Sequence, residues 1–321
     1  MNTSRLYAEK LDQQDPLAKW RKEFYIPERE TLGLDGKRSI KPIQYFEGNS
    51  LGLMSTYAEK GIENEINLWK TLTSRGSNVG KKTIEYQAKL VGAAPDEVIM
   101  AAGATINIHV LISTFYQPKG KRTKILADEL NFPSDLYALW GQIRLKGEDP
   151  DENLLLVKSR DGKTLHEDDI IAAMDGSVSV CFLPSVLFTS GQLLDIKRLT
   201  EAAHEKGILI GFDCCHSIGI VPHYFDEWGV DFALWCNYKY MNGGGGAIAG
   251  LYVNRKHFGT MPGMSGWWGN SWSNRFDFET RFNPAENAEA WYVGNPSNFA
   301  RAPVYGSSMM VDEAGILNIR E

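Results

Sequence analysis

The chain has 321 residues, of which 43% are hydrophobic and 23% are charged, and its formal net charge is −6. This composition is ordinary for a globular protein and supplies enough apolar residues for a large core in one or two domains. The negative charge and the lack of a dense basic segment argue against nucleic acid and anionic membranes as partners. The polar N-terminus predicts no signal peptide, and the sequence predicts no membrane span.

The four cysteines are Cys181, Cys214, Cys215 and Cys236. All of them lie in or beside apolar, strand-like segments, which is typical of reduced, buried cysteines in a cytosolic protein. Cys214, Cys215 and His216 are adjacent, but they lack the paired spacing of a structural zinc site. We therefore predict a cytoplasmic protein without a metal.

Two helical segments are predicted in the first part of the chain. Residues 1–30 are predicted to form one or two amphipathic helices that pack on the main body. Residues 58–72 are predicted to form another helix, with an apolar face that consists of Ile62, Ile66 and Trp69.

A glycine-punctuated turn lies between these helices. The segment 45–53, YFEGNSLGL, begins like a short strand and continues as a turn at Gly48 and Gly52. Small polar side chains in such a turn, Ser50 among them, can line a ligand site. A plain tight turn is the alternative.

The next segment has the pattern of a phosphate-binding turn. Residues 97–101 predict a short strand, and Gly103, Ala104 and Thr105 follow it, directly before a helical segment at 106–115. Backbone N–H groups and the helix dipole at such a turn favour an anion. A plain strand-to-helix turn fits this pattern equally well.

Strands and helices alternate through the middle of the chain. Strands are predicted at residues 124–127, 178–183 and 208–212, and helices at 168–174 and 194–206. This alternation predicts an α/β fold, with a mostly parallel sheet covered by helices on both faces. The strand ends that should then lie at one edge are those near residues 103, 131, 184 and 213.

The strand at 208–212 ends on Asp213, and His216 follows three positions later. An acid at the carboxyl end of a strand lies at the edge where open α/β folds bind ligands. A pyridinium nitrogen needs such an acid beside it if the ring is to stay protonated and accept electrons.

The segment 231–246, DFALWCNYKYMNGGGG, contains Lys239 just after an apolar run and before four glycines. Desolvation lowers the pKa of an amine, and such a lysine can form a Schiff base with an aldehyde such as pyridoxal phosphate. An ordinary surface lysine is the alternative for a single residue. Successive strands that end in Asp213 and Lys239 are typical of fold-type I pyridoxal-phosphate enzymes, which favours the catalytic interpretation.

Two aromatic features are also candidates for a site. Phe132, which follows the strand at 124–127, is either a ring that stacks on a planar cofactor or a core aromatic beside a turn. Trp267, Trp268 and Trp272 lie in a loop rich in glycine and asparagine. Exposed aromatic loops usually become buried against a ligand or a partner chain.

The chain resembles the kynureninase family along almost its whole length. The segments that carry the resemblance are DPLAKWRKEFYIP, YFEGNSLGL, GATINIHVLISTF, NFPSD, SGQLLDI, GFDCCHSIG, WGVDFALWCNYKYMNGGGGAIAGLYV, GWWGN and GNPSN. The most specific of them are NSLGL, FPSD and the segment around Lys239.

The resemblance implies a role for each matching residue. Lys239 would form the Schiff base with pyridoxal phosphate, Asp213 would pair with the pyridine nitrogen, and Phe132 would stack on the ring. Further contacts to the cofactor would come from Ala104, Thr105, Pro133, Ser134, Asp135, His216, Tyr238, Trp267 and Asn295. The residues near the substrate would be Ser50, Ser77 and Asn295.

The resemblance also implies a three-layer fold-type I architecture and a homodimer with shared active sites. The expected units are an N-terminal arm at 1–44, a large cofactor-binding domain at 45–302, and the beginning of a C-terminal small domain at 303–321. The rest of that small domain, with the family's arginine for the substrate's α-carboxylate, would lie beyond residue 321.

Three departures from the family pattern accompany the resemblance. The loop at 75–86 is shorter than the family's, and Ser77 replaces a histidine that contacts the substrate ring in some members. Pro184 replaces a serine that lies near the cofactor in others.

The implied reaction is hydrolysis of L-kynurenine, or of 3-hydroxy-L-kynurenine, to anthranilate or 3-hydroxyanthranilate and L-alanine in tryptophan catabolism. Lys239 would remove the Cα proton, water would add to the side-chain ketone, and Tyr238 would protonate Cβ as the Cβ–Cγ bond breaks. The alternatives are a cysteine desulfurase, a class V aminotransferase or a non-enzymatic member of the fold. Desulfurases usually carry a histidine at the position of Tyr238, and a non-enzymatic protein would not need Lys239 and Asp213 together.

Overall fold

Residues 4–32, 37–73 and 78–321 are described by the computed structural model. The strands in these ranges form a two-stranded hairpin and a seven-stranded sheet. The hairpin consists of β1 (Glu28–Leu32) and β2 (Arg38–Pro42), and the sheet consists of β3 (Val98–Ala101), β4 (Lys124–Asp128), β5 (Leu154–Val157), β6 (Val178–Pro184), β7 (Leu209–Asp213), β8 (Phe232–Trp235) and β9 (Ala249–Val253).

Helices surround the sheet and connect its strands. They are α1 (Arg5–Gln14), α2 (Thr56–Lys70), α3 (Val79–Val91), α4 (Ala104–Phe115), α5 (Pro133–Leu145), α6 (Pro150–Asn153), α7 (Glu167–Ala173), α8 (Ile196–Glu205), α9 (Phe225–Trp228), α10 (Asn298–Ala314) and α11 (Ile316–Arg320). Among the described residues, no helix combines the length and the apolar character that a membrane crossing requires.

The strand order of the sheet is β3-β9-β8-β7-β6-β4-β5. Strand β9 pairs antiparallel with β3 and with β8, whereas the other neighbouring strands pair in parallel. The carboxyl ends of β3, β4, β6, β7 and β8 therefore lie at one edge of the sheet. The predicted α/β fold and the predicted gathering of strand ends are both confirmed.

Apolar cores lie on both faces of the sheet. Leu90 of α3, Ile170 of α7 and Leu199 of α8 belong to one core, whereas Leu111 of α4 and Leu139 of α5 belong to the other. Burial of the sheet on both faces explains why the strands are almost continuous apolar runs, which is the pattern expected of a parallel sheet.

Strand β8, which leads into the Lys239 segment, shows how tightly these cores are packed. Phe232 and Leu234 point into one core, whereas Ala233 and Trp235 point into the other. On the neighbouring β9, a Cβ atom at Gly250 would lie 2.1 Å from the Trp235 indole. Only glycine leaves room for this ring, so the position of β8 is fixed by steric fit.

Part of the N-terminal half differs from the predictions. Residues 45–47 are irregular, so the predicted strand-like start is wrong there. The β1–β2 hairpin was not predicted because its two strands, ERETL and RSIKP, are mostly polar and exposed. Strand β5, the outermost strand beside β4, was also not predicted.

The predicted apolar face of α2 is not its buried face. Ile66 and Trp69 are exposed, and the buried residues of this helix include Gly61 and Glu65. A Cβ atom at Gly61 would lie 2.3 Å from the Ala302 oxygen of α10, so α2 packs on α10 at close range through its small residues. Close helix packing therefore outweighs the hydrophobic pattern here.

A buried carboxylate ties the opposite edge of the sheet together. Asp231, which precedes β8, is completely buried. It accepts hydrogen bonds from Ile210 N, His204 Nε2 and His257 Nε2 at 2.8, 2.9 and 2.8 Å, and it forms an ion pair with Lys256 Nζ at 2.7 Å. Burial by itself would raise the pKa of Asp231, but the hydrogen bonds from His257, Lys256 and His204 outweigh it and lower this pKa to about 2.

We expect Asp231→Asn to destabilise the protein by about 3 kcal/mol at pH 7, because the substitution leaves buried donors without their anionic partner. A lowered pKa means that the carboxylate stabilises the fold above a pH of about 4 and loses this effect as the pH falls toward 2. The difference in unfolding free energy between the two proteins should therefore shrink on acidification. Denaturant unfolding at several pH values measures this, with the exposed Asp226→Asn as the control. A difference that does not change with pH would contradict the account.

Candidate functional site

Lys239 lies in a tight turn that follows β8, and only 8% of its surface is exposed. Its turn is closed by hydrogen bonds from Asn242 N to Lys239 O, at 3.0 Å, and from Gly243 N to Asn237 O, at 2.7 Å. The Asn237 side chain donates to Ile248 O at 2.8 Å and ties the turn to the start of the next strand. The lysine therefore has a fixed backbone at the edge where the strand ends meet.

The glycine-rich turn at 45–53 packs directly on this lysine segment. Gly52 N donates to Tyr238 O at 2.8 Å, and the Asn242 side chain donates to Leu53 O at 3.0 Å. A Cβ atom at Gly52 would lie 2.2 Å from Lys239 O, so this contact requires glycine. The close approach brings the exposed Ser50 to the edge that carries Lys239.

The amine of Lys239 contacts a neutral histidine. Its Nζ atom lies 3.0 Å from His216 Nε2. Burial and the neighbouring Lys239 ammonium lower the pKa of His216 to about 4, although Asp213 and the backbone of Asn49 act in the opposite direction. His216 is therefore uncharged at neutral pH and can accept a hydrogen bond from the amine through Nε2.

Asp213 ends β7 as predicted, and its carboxylate is directed by the backbone that follows. Cys215 N donates to Asp213 Oδ1 at 2.6 Å. The main-chain oxygen of Asp213 accepts from Ser185 N at 2.8 Å and from Ser185 Oγ at 3.0 Å. Within the described ranges no lysine, arginine or histidine forms an ion pair with Asp213, so this carboxylate has room for a cationic partner.

A second carboxyl group lies against Asp213. Asp135, in the first turn of α5, is buried, and its Oδ2 atom has no hydrogen-bond partner among the described residues. Burial, and then the charge and hydrogen bond of Asp213, raise the pKa of Asp135 well above its ordinary value. Burial beside Asp213 therefore favours the neutral form of the Asp135 carboxyl. Nearby Asp128, at the end of β4, has its pKa raised to about 7 by burial.

Phe132, the residue that precedes α5, faces the amine of Lys239. The Lys239 Nζ atom lies 5.7 Å from the centre of the Phe132 ring, and 42% of Phe132 is exposed. Phe188 packs edge-on against Phe132 with ring centres 5.2 Å apart. Sequence reasoning missed Phe188, although it lies just before the SGQLLDI segment. One face of Phe132 is left available for a planar group.

The predicted phosphate turn has the geometry of an open anion site. Gly103 is extended, and Ala102 has a positive φ of 41°. No side chain of the described residues caps the N-terminus of α4. A Cβ atom at Gly103 would meet no atom of the described part of the chain within 4 Å. The first N–H groups of α4, those of Ala104 and Thr105, therefore face a space that an anion can enter.

Tyr238 lies beside Lys239, whereas Asn295 lies in a separate cleft. Tyr238 is half-buried, and its ring centre lies 5.8 Å from Lys239 Nζ. Burial, and then Cys236 and Cys215, raise the pKa of the Tyr238 phenol. Asn295 lines its cleft together with Ala102 and Ile106, beside the N-terminus of α4. Of the other predicted residues, Pro133 and Ser134 begin α5 beside Phe132, and Ser77 lies outside the described residues.

The tryptophan loop forms an exposed aromatic surface. Trp267 is 50% exposed and packs edge-on against Trp268 and Phe276, with ring centres 5.7 and 5.6 Å apart. Its indole N–H donates to Arg275 O at 2.8 Å. The N–H of Trp267 is thus already paired within its own chain, so any contact to a cofactor phosphate would have to replace that bond.

Comparison with known proteins identifies relatives of the whole chain. Residues 53–271 match the family model described as Aminotransferase class-V. The chain is 53% identical to a kynureninase from Geobacillus thermodenitrificans (strain NG80-2) and 51% identical to a kynureninase from Bacillus anthracis. Each alignment covers 98% of this chain and 72% of the relative.

Solved structures of lower identity share the fold. An apo cysteine desulfurase from Thermococcus onnurineus NA1 matches with a TM-score of 0.72 and 15% identity, over 85% of this chain and 68% of that one. The cystine C-S lyase C-DES, in complex with cysteine persulfide, matches with a TM-score of 0.74 and 15% identity, over 84% and 72%. These matches agree with the observed sheet, and the curated relatives define the family within that fold. The chain belongs to the kynureninase family.

Proposed function

We propose that this protein hydrolyses L-kynurenine to anthranilate and L-alanine, with pyridoxal phosphate as its cofactor and 3-hydroxy-L-kynurenine as a further substrate. The observation that supports this most directly is the buried Lys239 amine, 3.0 Å from His216 Nε2 and close to the carboxyl pair of Asp135 and Asp213. An amine that can bind the cofactor and an acid that can hold its ring proton are what the reaction requires.

The residues at this edge fit pyridoxal phosphate in three ways. Asp213 offers a carboxylate without a cationic partner in the described chain, and Asp135 Oδ2 is an unpaired buried atom beside it. Phe132 offers a free ring face, and the open N-terminus of α4 offers donors for a phosphate. The residues that would hold the cofactor are Ala104, Thr105, Phe132, Pro133, Ser134, Asp135, Asp213, His216, Tyr238, Lys239, Trp267 and Asn295.

Lys239 would move the proton at the substrate's Cα. Bound at this site, pyridoxal phosphate would supply an electron sink for the pair of electrons that this proton leaves behind. Because His216 is neutral, it can accept a hydrogen bond from Nζ and orient the amine without adding a second positive charge. The burial of Lys239 also excludes water from the atom that carries the proton.

The carboxyl pair would hold a single proton acceptor in place for the ring nitrogen. Because burial and the neighbouring Asp213 favour the neutral form of Asp135, Asp135 would not add a second negative charge beside Asp213. Cys215 N holds Asp213 Oδ1 at 2.6 Å, which limits rotation of that carboxylate. A hydrogen bond to the ring nitrogen would then be made by a group that needs no rearrangement.

Tyr238 would deliver the proton to Cβ when the Cβ–Cγ bond breaks after water has added to the side-chain ketone. Burial raises the pKa of its phenol, so its Oη atom keeps a proton at neutral pH. Ser50 and Asn295 would contact the substrate, because the turn of Ser50 packs on the Lys239 segment and Asn295 lies beside the α4 N-terminus.

A homodimer with shared active sites would cover the aromatic surface. The exposed rings of this surface are those of Trp267, Trp272, Phe276 and Phe278. They pack on one another rather than on the core, and a patch of this kind is more typical of a protein interface than of a surface that faces water. A cytoplasmic location is supported by the four cysteines, which are free and buried.

Lys239→Ala should lower the rate of L-kynurenine hydrolysis by roughly 10³-fold, because it removes both the cofactor attachment and the base at Cα. Borohydride treatment of the native holoenzyme should attach the cofactor to the Lys239 peptide, and peptide mapping by mass spectrometry measures this. Lys163→Ala, at an exposed lysine, is the matched control and should keep full activity. A label on any other lysine would sink the assignment.

Trp267→Ala should weaken cofactor retention and dissociate the dimer together, since the ring would lie between the cofactor phosphate and the second chain. Sedimentation velocity and cofactor titration of the same preparation measure the two effects. Tyr224→Ala, which removes an exposed ring beside α9, should change neither. A Trp267→Ala variant that remains a tight dimer with unchanged cofactor affinity would show that Trp267 serves only its own chain.

A further inference from the structure

Three buried polar side chains form a hydrogen-bonded chain behind Asp213. His223 Nε2 lies 2.9 Å from Ser217 Oγ, and Ser217 Oγ lies 2.7 Å from Ser185 Oγ. Ser185 Oγ then donates to the main-chain oxygen of Asp213 at 3.0 Å. Ser185 and Ser217 are completely buried and His223 is 2% exposed, so water does not compete for these bonds. We call these three residues the His223 brace.

The direction of the hydrogen bonds follows from the number of protons available. The Asp213 oxygen can only accept, so Ser185 Oγ donates its single proton to it and must accept from Ser217 Oγ. When both of these bonds are made, Ser217 has no proton left, and His223 Nε2 is then the donor at the other end. An alternative acceptor for Ser217, Cys214 O, is farther away at 3.3 Å.

The tautomer that this direction requires agrees with the surroundings of His223. Protonation at Nε2 leaves Nδ1 as a bare lone pair, and Nδ1 has no partner among the described residues. A buried lone pair without a partner is tolerated better than a buried N–H without one. Phe225 and Trp228 pack around the ring with centres 5.0 and 6.2 Å away, and burial lowers the pKa of His223 to about 3. The brace is therefore neutral.

The brace acts where the regular sheet ends. The β6–β7 ladder stops at the pair Pro184 and Asp213, so beyond it only the Ser185 backbone N–H continues the pattern. The Ser185 hydroxyl of the His223 brace adds a second hydrogen bond to the same Asp213 oxygen. Together with the bond from Cys215 N to Oδ1, it holds Asp213 from both its main chain and its carboxylate.

We propose that His223, Ser217 and Ser185 are positioning residues, which fix Asp213 in the place where its carboxylate meets the cofactor's ring nitrogen. This inference rests on the role proposed above for Asp213. None of the three residues is among those predicted to touch the cofactor or substrate. Their effect passes through the backbone of Asp213. A displacement of the carboxylate by a fraction of an ångström weakens the hydrogen bond that the carboxylate makes.

Ser217→Ala removes the middle of the brace. It should raise the dissociation constant of pyridoxal phosphate about 10-fold, which corresponds to the loss of one buried hydrogen bond. It should lower kcat with little change in KM. His223→Leu should behave like Ser217→Ala. His223→Gln should stay within about 3-fold of the native protein, because its amide nitrogen can donate in place of Nε2. Cofactor binding is measured by absorbance titration of the apoenzyme, with melting temperatures recorded for every variant.

A cycle with Asp213→Asn separates positioning from general stability. If the brace acts through the Asp213 carboxylate, Ser217→Ala should weaken cofactor binding in the native background but not in the Asp213→Asn background. Equal weakening in both backgrounds, or a lower melting temperature with unchanged affinity, would overturn the brace alone. Unchanged affinity and activity in Asp213→Asn itself would overturn the proposed role of Asp213, and the brace with it. If Ser217→Ala does not fold, Ser217→Cys replaces it, and a loss of affinity supports the brace whereas no loss overturns it.

Discussion

The structure depends on holding one lysine amine and one carboxylate, both buried, at the same edge of a parallel sheet. Burial of ionisable groups is costly unless each is paired, and the protein meets this cost with local partners. Lys239 contacts neutral His216, and burial beside Asp213 favours the neutral form of Asp135. These contacts leave the Lys239 amine and the Asp213 carboxyl group at the site, which are the two groups that a pyridine-based cofactor can engage.

The buried aspartates at the two ends of the strands, Asp231 and Asp213, have different electrostatic surroundings. At the edge opposite the site, Asp231 is surrounded by four donors, those of His204, Ile210, Lys256 and His257, and serves to fix β7 and β8. At the site edge, the donors to Asp213 within the described ranges are neutral: the N–H groups of Cys215 and Ser185 and the Ser185 hydroxyl of the His223 brace. A carboxylate held by neutral groups keeps its charge available, so the same residue type stabilises the fold at one edge and can do chemistry at the other.

The sequence predicted this edge well because its signals are local. Apolar runs that end in Asp213 and in the Lys239 segment indicate strand ends, and a parallel sheet brings strand ends together. The contact of Asp135 with Asp213 and the approach of Gly52 to Lys239 O join distant parts of the chain, so no local pattern predicts them. The β1–β2 hairpin escaped prediction for the opposite reason, since its residues bury little and therefore leave no hydrophobic periodicity.

The most direct measurement is the product formed by the purified protein with pyridoxal phosphate when L-kynurenine and L-cysteine are offered in parallel. The site described here predicts anthranilate and L-alanine in equal amounts from L-kynurenine, detected by anthranilate fluorescence and amino-acid analysis, and little sulfur release from L-cysteine. Sulfur release from L-cysteine without anthranilate from L-kynurenine would contradict the account and assign the Lys239 site to desulfurase chemistry.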